Sequence, residues 1–309
     1  MTRATREAFG ETLVELANEG VDVVVVEADL SKSTTTSKLA DAYPDRFFNV
    51  GIAEQNMIDV AAGLAVAGHI AFTGSFAVFA TGRAYDQVRN TVCYSGLDVK
   101  LAPTHSGITV GPDGGSHQMI EDLALMRVLP GMRVLVPADF ASAKAALRAA
   151  ATTPGPFYVR LGRATFADIY DADFEFVVGR ANVLREGTDV TIAACGIMVA
   201  EALAAADKLA ESGVSAEVID VATVKPIDVE TLAASVAKTG RIVTAEEHSV
   251  LGGMGSAVSE VLSEVCPVPT RRVGVADVFG TSGEPRELME HFGLTADDIV
   301  RAARELMAL

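Results

Sequence analysis

Runs of β-branched and other apolar residues, each following a stretch with helical periodicity, constrain this chain more than any other feature. A helical pattern over Arg3–Ala17 precedes "VDVVVVEAD" (Val21–Asp29), and one over Glu54–Ala67 precedes a strand at Ile70–Phe76. Helices at Arg83–Tyr94, Gln118–Arg127 and Phe140–Ala151 precede the runs Asp98–Pro103, Arg133–Asp139 and Phe157–Arg163. Strands that are apolar throughout and alternate with helices are buried on both faces, so the pattern predicts parallel sheets covered by helices on each side. The rhythm breaks in "DIYDADFEFVVGRANVLREG" (Asp168–Gly187), and a second series follows. It comprises Asp189–Gly196, a helix at Val199–Glu211, Ser215–Val221, Arg241–His248, a helix after Gly255, and Arg271–Val275. The expected fold class is α/β, with two doubly wound domains over residues 1–172 and 178–309, each built on a mostly parallel sheet.

Composition narrows the partners. With 309 residues and a formal net charge of −16, the chain is unsuited to nucleic acid or an anionic membrane. A few clustered Arg and His can still hold an anionic small substrate. Cys93, Cys195 and Cys266 are odd in number and far apart, which fits neither a disulfide framework nor a zinc site and suggests a reducing cytoplasm. The apolar segment Val60–Gly82 is long enough to span a bilayer. Gly63, Gly68, His69, Gly74 and Gly82 interrupt it, so it reads as a buried helix, a Gly-His turn and a buried strand.

Open parallel sheets bind ligands at the carboxyl ends of their strands. Asp29, Leu30 and Ser33 follow the first run, Phe76 and Phe79 close another, His105 follows Asp98–Pro103, and Arg163 ends Phe157–Arg163. In neither of two glycine patterns, "GGMGSAV" (Gly252–Val258) and "GPDGGSH" (Gly111–His117), does a strand lead into a helix with nucleotide-binding spacing, and no Walker lysine is present. In "NVGIAEQNM" (Asn49–Met57) a carboxylate, Glu54, stands where a chain break turns into an apolar segment. Position alone leaves two readings open: a first-turn residue offsetting the helix dipole, or a group placed for chemistry.

Taken together these segments resemble the C-terminal half of a transketolase, its pyrimidine-binding domain followed by its C-terminal domain. "GIAEQNM" (Gly51–Met57) is similar to the segment whose glutamate contacts the aminopyrimidine ring of thiamine diphosphate, which puts Glu54 in that role. By the resemblance its carboxyl, raised in pKa by desolvation, hydrogen-bonds ring nitrogen N1′ and favours the imino tautomer that deprotonates the thiazolium. "GSFAVFATG" (Gly74–Gly82) resembles the aromatic pocket, with Phe76 and Phe79 packing on the pyrimidine. A third aromatic usual in the family falls on Gly82, with Tyr85 the nearest ring to fill its place. In "HSGITVGPDGGSHQ" (His105–Gln118) the spacing His, Asp eight residues on, His four beyond matches the family. That match implies phosphate contact for His105, the C2 hydroxyl for Asp113, and hydroxyls near the reacting carbon for His117. Arg6, Ser33 and Arg163 fall on further phosphate contacts, since guanidinium groups grip phosphate oxygens in two-pronged fashion. Asp29 and Leu30 fall on the thiazolium side. In the family the second domain serves assembly, so Glu247 and His248 receive no chemistry.

The family's Gly-Asp-Gly signature, which binds diphosphate and Mg²⁺, has no counterpart here. The resemblance therefore implies one subunit of a split transketolase moving a two-carbon ketol unit between sugar phosphates. Its partner is an N-terminal-half subunit that carries the diphosphate and Mg²⁺ ligands, in a two-fold heterotetramer. The alternatives are a 1-deoxyxylulose-5-phosphate synthase-like enzyme, a 2-oxo-acid dehydrogenase β subunit, and an inactive regulatory paralogue.

Overall fold

The structure, a computed structural model, describes residues 2–308. Its strands in chain order are β1 (Val23–Glu27), β2 (Phe47–Asn49), β3 (Ile70–Gly74), β4 (Val99–Leu101), β5 (Arg133–Leu135) and β6 (Phe157–Val159), then β7 (Asn182–Arg185), β8 (Val190–Ala194), β9 (Ala216–Asp220), β10 (Thr223–Lys225), β11 (Ile242–Ser249) and β12 (Thr270–Val275). They form two sheets, one of seven strands in the order β10-β5-β6-β4-β3-β1-β2 and one of five in the order β12-β11-β8-β9-β7. Within the first sheet only β10 runs antiparallel, and within the second only β7. The two α/β units and their mostly parallel sheets are those expected from the alternation.

Burial accounts for the composition of the strands. β1, β4, β6, β8 and β9 are buried at every position, as a parallel strand with helices on both faces must be. One apolar core lies beneath the helix Thr5–Asn18 and the helix Phe140–Thr152, around Phe9, Leu13, Phe72 and Phe157. A second lies mainly in the C-terminal unit, around Ile192, Met198 and Ile299, and takes in Ile108, Ile120 and Ala138 from the first. A third crosses the seam, joining Val24, Met57 and Val136 to Ile219, Val224 and Leu262. The segment Val60–Gly82 resolves into the end of a helix (Glu54–Val66), a turn in which His69 pairs with Asp22 at 2.9 Å, and β3. Among the described residues no helix is long and apolar enough to cross a membrane.

Two helix boundaries need correction. The helix read at Arg83–Tyr94 starts earlier, as wide π-helical turns at Val78–Arg83 and Val88–Cys93 flanking Tyr85–Gln87. The helix read at Gln118–Arg127 begins only at Asp122, because Met119 and Ile120 give their carbonyls to Gly107 and Ser249. The pattern Gly252–Val258 joins β11 to the helix Met254–Val265, the strand and helix expected around it, without the spacing of a nucleotide-binding turn. The N–H groups of Met254 and Gly255 donate to the chain's own Glu246 carboxylate at 2.6 and 2.9 Å, so that helix start is already satisfied by an anion.

At the seam lies a buried ionic network. Arg160, just after β6, donates to Asp122 from Nε at 2.7 Å and from Nη2 at 3.1 Å. Tyr158 donates to the same carboxylate at 2.6 Å, and Arg160 reaches the Glu247 carbonyl at 3.0 Å. Burial opposes the charge on Asp122, yet Arg160 holds its carboxyl below the ordinary carboxylate value. Removing one partner of such a pair leaves an uncompensated buried charge. Arg160→Met is therefore expected to cost about 3–5 kcal/mol, read as a lowered urea midpoint at unchanged slope. An unmoved midpoint would show the pair to be dispensable.

Candidate active site

The carboxyl ends of β1, β2 and β3 converge on Glu54. β1 ends at Glu27, whose buried carboxylate accepts from the N–H groups of Ala28 and Leu30 at 3.1 and 3.2 Å and from the hydroxyls of Thr34 and Thr36. Burial pushes the Glu27 carboxyl up to about 7. These contacts shape the loop carrying Asp29, Leu30 and Ser33, where Asp29 takes a left-handed φ of 64°. Asn49, at the end of β2, accepts from the N–H groups of Asp29 at 3.1 Å and of Gly51 at 3.0 Å. The helix Glu54–Val66 then begins with Glu54 2% exposed and no side-chain cap.

Glu54 does not spend its oxygens on the helix start. Arg83 Nη1 donates to Oε1 at 3.1 Å and to Oε2 at 3.0 Å. The same guanidinium lies over the Phe79 ring, 4.4 Å from its centroid. The sequence pattern around Glu54 implies apolar surroundings, and the structure corrects this: the carboxylate's neighbour is a cation. Nothing in the sequence reading singles out Arg83. Its signal was its place four residues after Phe79 on one helical face. Gly82 opens onto free space, and Tyr85 packs against the seam core, so Arg83 is the group that covers Phe79.

Phe76 and Phe79 lie nearly parallel, 6.1 Å apart. His105 stacks on Phe76 at 3.8 Å, and His117 meets both rings edge-on, at 6.4 Å from Phe76 and 5.5 Å from Phe79. Phe76 bridges to the backbone of Thr104. The His105 backbone adopts a φ of 60°, and its Nδ1 lies 2.8 Å from the Thr104 hydroxyl. Burial, then the charges of Arg6, Arg163 and His117, lower the His105 pKa from 6.5 to about 3. At neutral pH it is an uncharged imidazole.

The two arginines border one cavity of about 330 Å³, with Thr109, Val110, Pro112 and Glu284 among its walls. Arg6 is half-buried, donates to the carbonyl of Ser33 at 3.0 Å, and has its pKa lowered by burial and by Arg163. Arg163 donates to the Val110 carbonyl at 2.6 Å and lies 3.5 Å from Asp113. Ser33 thus meets Arg6 through its backbone. The structure joins Glu54, Phe79, Phe76, His105 and His117 in one chain of contacts, and Arg6, Ser33, Arg163 and Asp113 in a neighbouring one. Asp29 and Leu30 stand beside these, on the loop that Glu27 holds.

A two-unit parallel α/β fold with this carboxylate, ring pair and imidazole pair at its strand ends defines a class, and comparison with known proteins gives it a family. The pyrimidine-binding domain model of transketolase matches residues 1–167 and the transketolase C-terminal domain model matches residues 179–299. The chain belongs to the transketolase family of transferases. It is 49% identical over 301 residues to a 6-deoxy-6-sulfo-D-fructose transketolase subunit of Clostridium sp. (strain MSTE9), covering 97% of this chain and 94% of that one. It is 39% identical to an apulose-4-phosphate transketolase subunit of Phocaeicola vulgatus, covering 98% and 97%. A solved split-gene transketolase, described as an inactive β4 tetramer, superposes with a TM-score of 0.92 at 53% identity, covering 100% of this chain and 99% of that one.

Two outcomes follow from the geometry. Arg83→Ala leaves Glu54 buried without its partner, which should cost about 1–3 kcal/mol. Adding Glu54→Gln should recover most of the lost melting temperature. A double variant no more stable than Arg83→Ala would show that Arg83 acts through Phe79 instead. The second concerns pH. An unfolded chain protonates His105 below about 6.5, whereas the folded chain refuses that proton until about 3. Stability must therefore fall as pH drops through this window, and His105→Gln should flatten that part of the melting profile.

Proposed function

We propose that this chain is the C-terminal-half subunit of a split thiamine diphosphate-dependent transketolase. It transfers a two-carbon ketol unit between sugar phosphates together with a partner chain that carries the diphosphate and Mg²⁺ ligands. The units 1–172 and 178–309 correspond on this reading to the pyrimidine-binding and C-terminal domains. The observation that carries it is the continuity of the buried Glu54, the Phe76–Phe79 ring pair, the His105–His117 pair and the Arg6–Arg163 cavity. The nearly full-length match to proteins named as transketolase subunits supports the split. The neighbour's description as an inactive β4 tetramer supports both self-association and the need for a second chain. A two-fold heterotetramer is the assembly we infer, in a reducing cytoplasm consistent with three free cysteines.

The residues fit the pyrimidine end of the cofactor. Phe76 and Phe79 offer flat apolar faces to a ring, and Glu54, which is buried with a movable partner in Arg83, offers its carboxyl to N1′. Asp29 and Leu30 would border the thiazolium. When bound, the cofactor supplies the carbon nucleophile that carries the ketol fragment. Among the described residues no group of three or more His, Cys, Asp or Glu could hold a metal ion, and the reading gives Mg²⁺ to the partner. On the substrate side, neutral His105 can donate or accept a hydrogen bond without adding charge. His117 and Asp113 face the sugar hydroxyls, and Arg6 and Arg163 with Ser33 hold the phosphate. Retention of the whole set weighs against an inactive paralogue, and the polyol-reading His105, Asp113 and His117 favour transketolase over its relatives.

The test is reconstitution with the partner chain, thiamine diphosphate and Mg²⁺, assayed for ketol transfer to phosphorylated and unphosphorylated acceptors. The single chain should be inactive. In the complex, Arg163→Ala should raise KM for the phosphorylated acceptor by about 30- to 1000-fold, the loss of roughly 2–4 kcal/mol of charge-assisted contact. Robust transfer by the single chain would refute the split, and equal loss on both acceptors would make Arg163 structural.

A further inference from the structure

The loop His105–Gln118 holds the imidazoles and the carboxylate that read substrate on the function proposed above, yet much of its support comes from the other half of the chain. Glu247, buried on β11, accepts from the Thr109 N–H through Oε1 at 2.7 Å. Its other oxygen lies 3.9 Å from Arg160 Nη1. Gly107, at a φ of 75°, passes so close over this carboxylate that a Cβ there would run into it. On the far side of the loop, Gln118 Nε2 donates to the carbonyls of Ile108 at 2.9 Å and Thr281 at 2.8 Å. A Cβ at Gly115 would lie 2.6 Å from the Gly280 carbonyl oxygen. The loop is thus gripped between Glu247 and the strap Gly280–Ser282.

The grip extends to the candidate substrate contacts. The residue after Thr109 is Val110, whose carbonyl accepts from Arg163 at 2.6 Å, and Arg163 in turn lies 3.5 Å from Asp113. Fixing the Thr109 amide therefore fixes the carbonyl that aims one phosphate-side cation, and with it the carboxylate beside that cation. A buried carboxylate accepting a backbone N–H is a strong, directional anchor, and a loop without such anchors opens at little cost. The C-terminal unit, to which the family resemblance assigned only assembly, supplies this anchor.

We propose that Glu247 is a positioning residue: its hydrogen bond to Thr109 sets the register of the loop His105–Gln118, and so tunes binding of the sugar phosphate without touching it. The proposal rests on the function proposed above, and its test separates the two. Amide hydrogen exchange on the full chain alone should show Thr109 and its neighbours exchanging about tenfold faster in Glu247→Ala, the factor expected for losing one buried hydrogen bond. Glu247→Gln, which keeps an acceptor, should restore protection. In the reconstituted enzyme Glu247→Ala should raise KM for the sugar phosphate by about tenfold. It should leave thiamine diphosphate affinity unchanged, and Glu247→Gln should recover KM. If Glu247→Ala does not fold, Glu247→Met, which fills the volume but cannot accept from Thr109, serves the same comparison. Unaltered Thr109 exchange, an unmoved KM, or a parallel loss of cofactor affinity would overturn the proposal. A wild-type complex without ketol transfer would refute the proposed function instead, and the exchange experiment would still decide on Glu247.

Discussion

The buried pair between Arg160 and Asp122 is the constraint on which the rest of the structure depends. Two charges without water are tolerable only when nearly every donor and acceptor finds a partner. The arrangement achieves this by drawing in Tyr158 and the carbonyls of Met119 and Glu247. Those partners come from both units, so the requirement to satisfy one guanidinium fixes how the units meet. The loop of His105 and His117 sits directly on that junction, and Gly107 is shaped by the carboxylate beneath it.

Local charge at the candidate site runs against the charge of the whole molecule. The chain carries a formal net charge of −16, yet Arg6, Arg163 and Arg83 line the approach to the Phe76–Phe79 rings. Burial and then Arg163 lower the pKa of Arg6, and both arginines reinforce burial in keeping His105 neutral. An anion entering the cavity between Arg6 and Arg163 would relieve that mutual repulsion.

What could be read from the sequence was whatever local periodicity or motif spacing encodes. Apolar runs such as Val23–Val26 forced the parallel sheets, and the spacing of His105, Asp113 and His117 marked one loop, whose two imidazoles lie against the ring pair. What escaped notice was set by pairing across distance. Arg83 looks like any surface arginine until the turn of its helix brings it to Glu54. β10 is three residues long and owes its existence to an open edge at β5. The run Arg241–His248 was legible as β11, but not the reason its polar end, Glu246 to His248, is buried. Glu246 is satisfied by the helix that follows, and Glu247 by Thr109 in the other unit, a pairing that no window of sequence displays.

The placement of β10 has a consequence for how the chain comes off the ribosome. Thr223–Lys225 pairs with β5 at the edge of the first sheet, and Lys225 reaches the carbonyls of Arg127 and Leu129. The N-terminal unit therefore emerges with one flank of its sheet unsheathed, and it stays so while the linker and β7 to β9 are translated. An exposed strand edge invites pairing with another chain. Nascent copies on one message would be vulnerable to each other during that interval, and the hazard ends only when the second unit reaches back to close the first. The two halves are thus bound by the order of their synthesis as well as by their contacts, and a break placed between them would leave each a different kind of fragment: one with a raw edge, the other with a strand and no sheet to join.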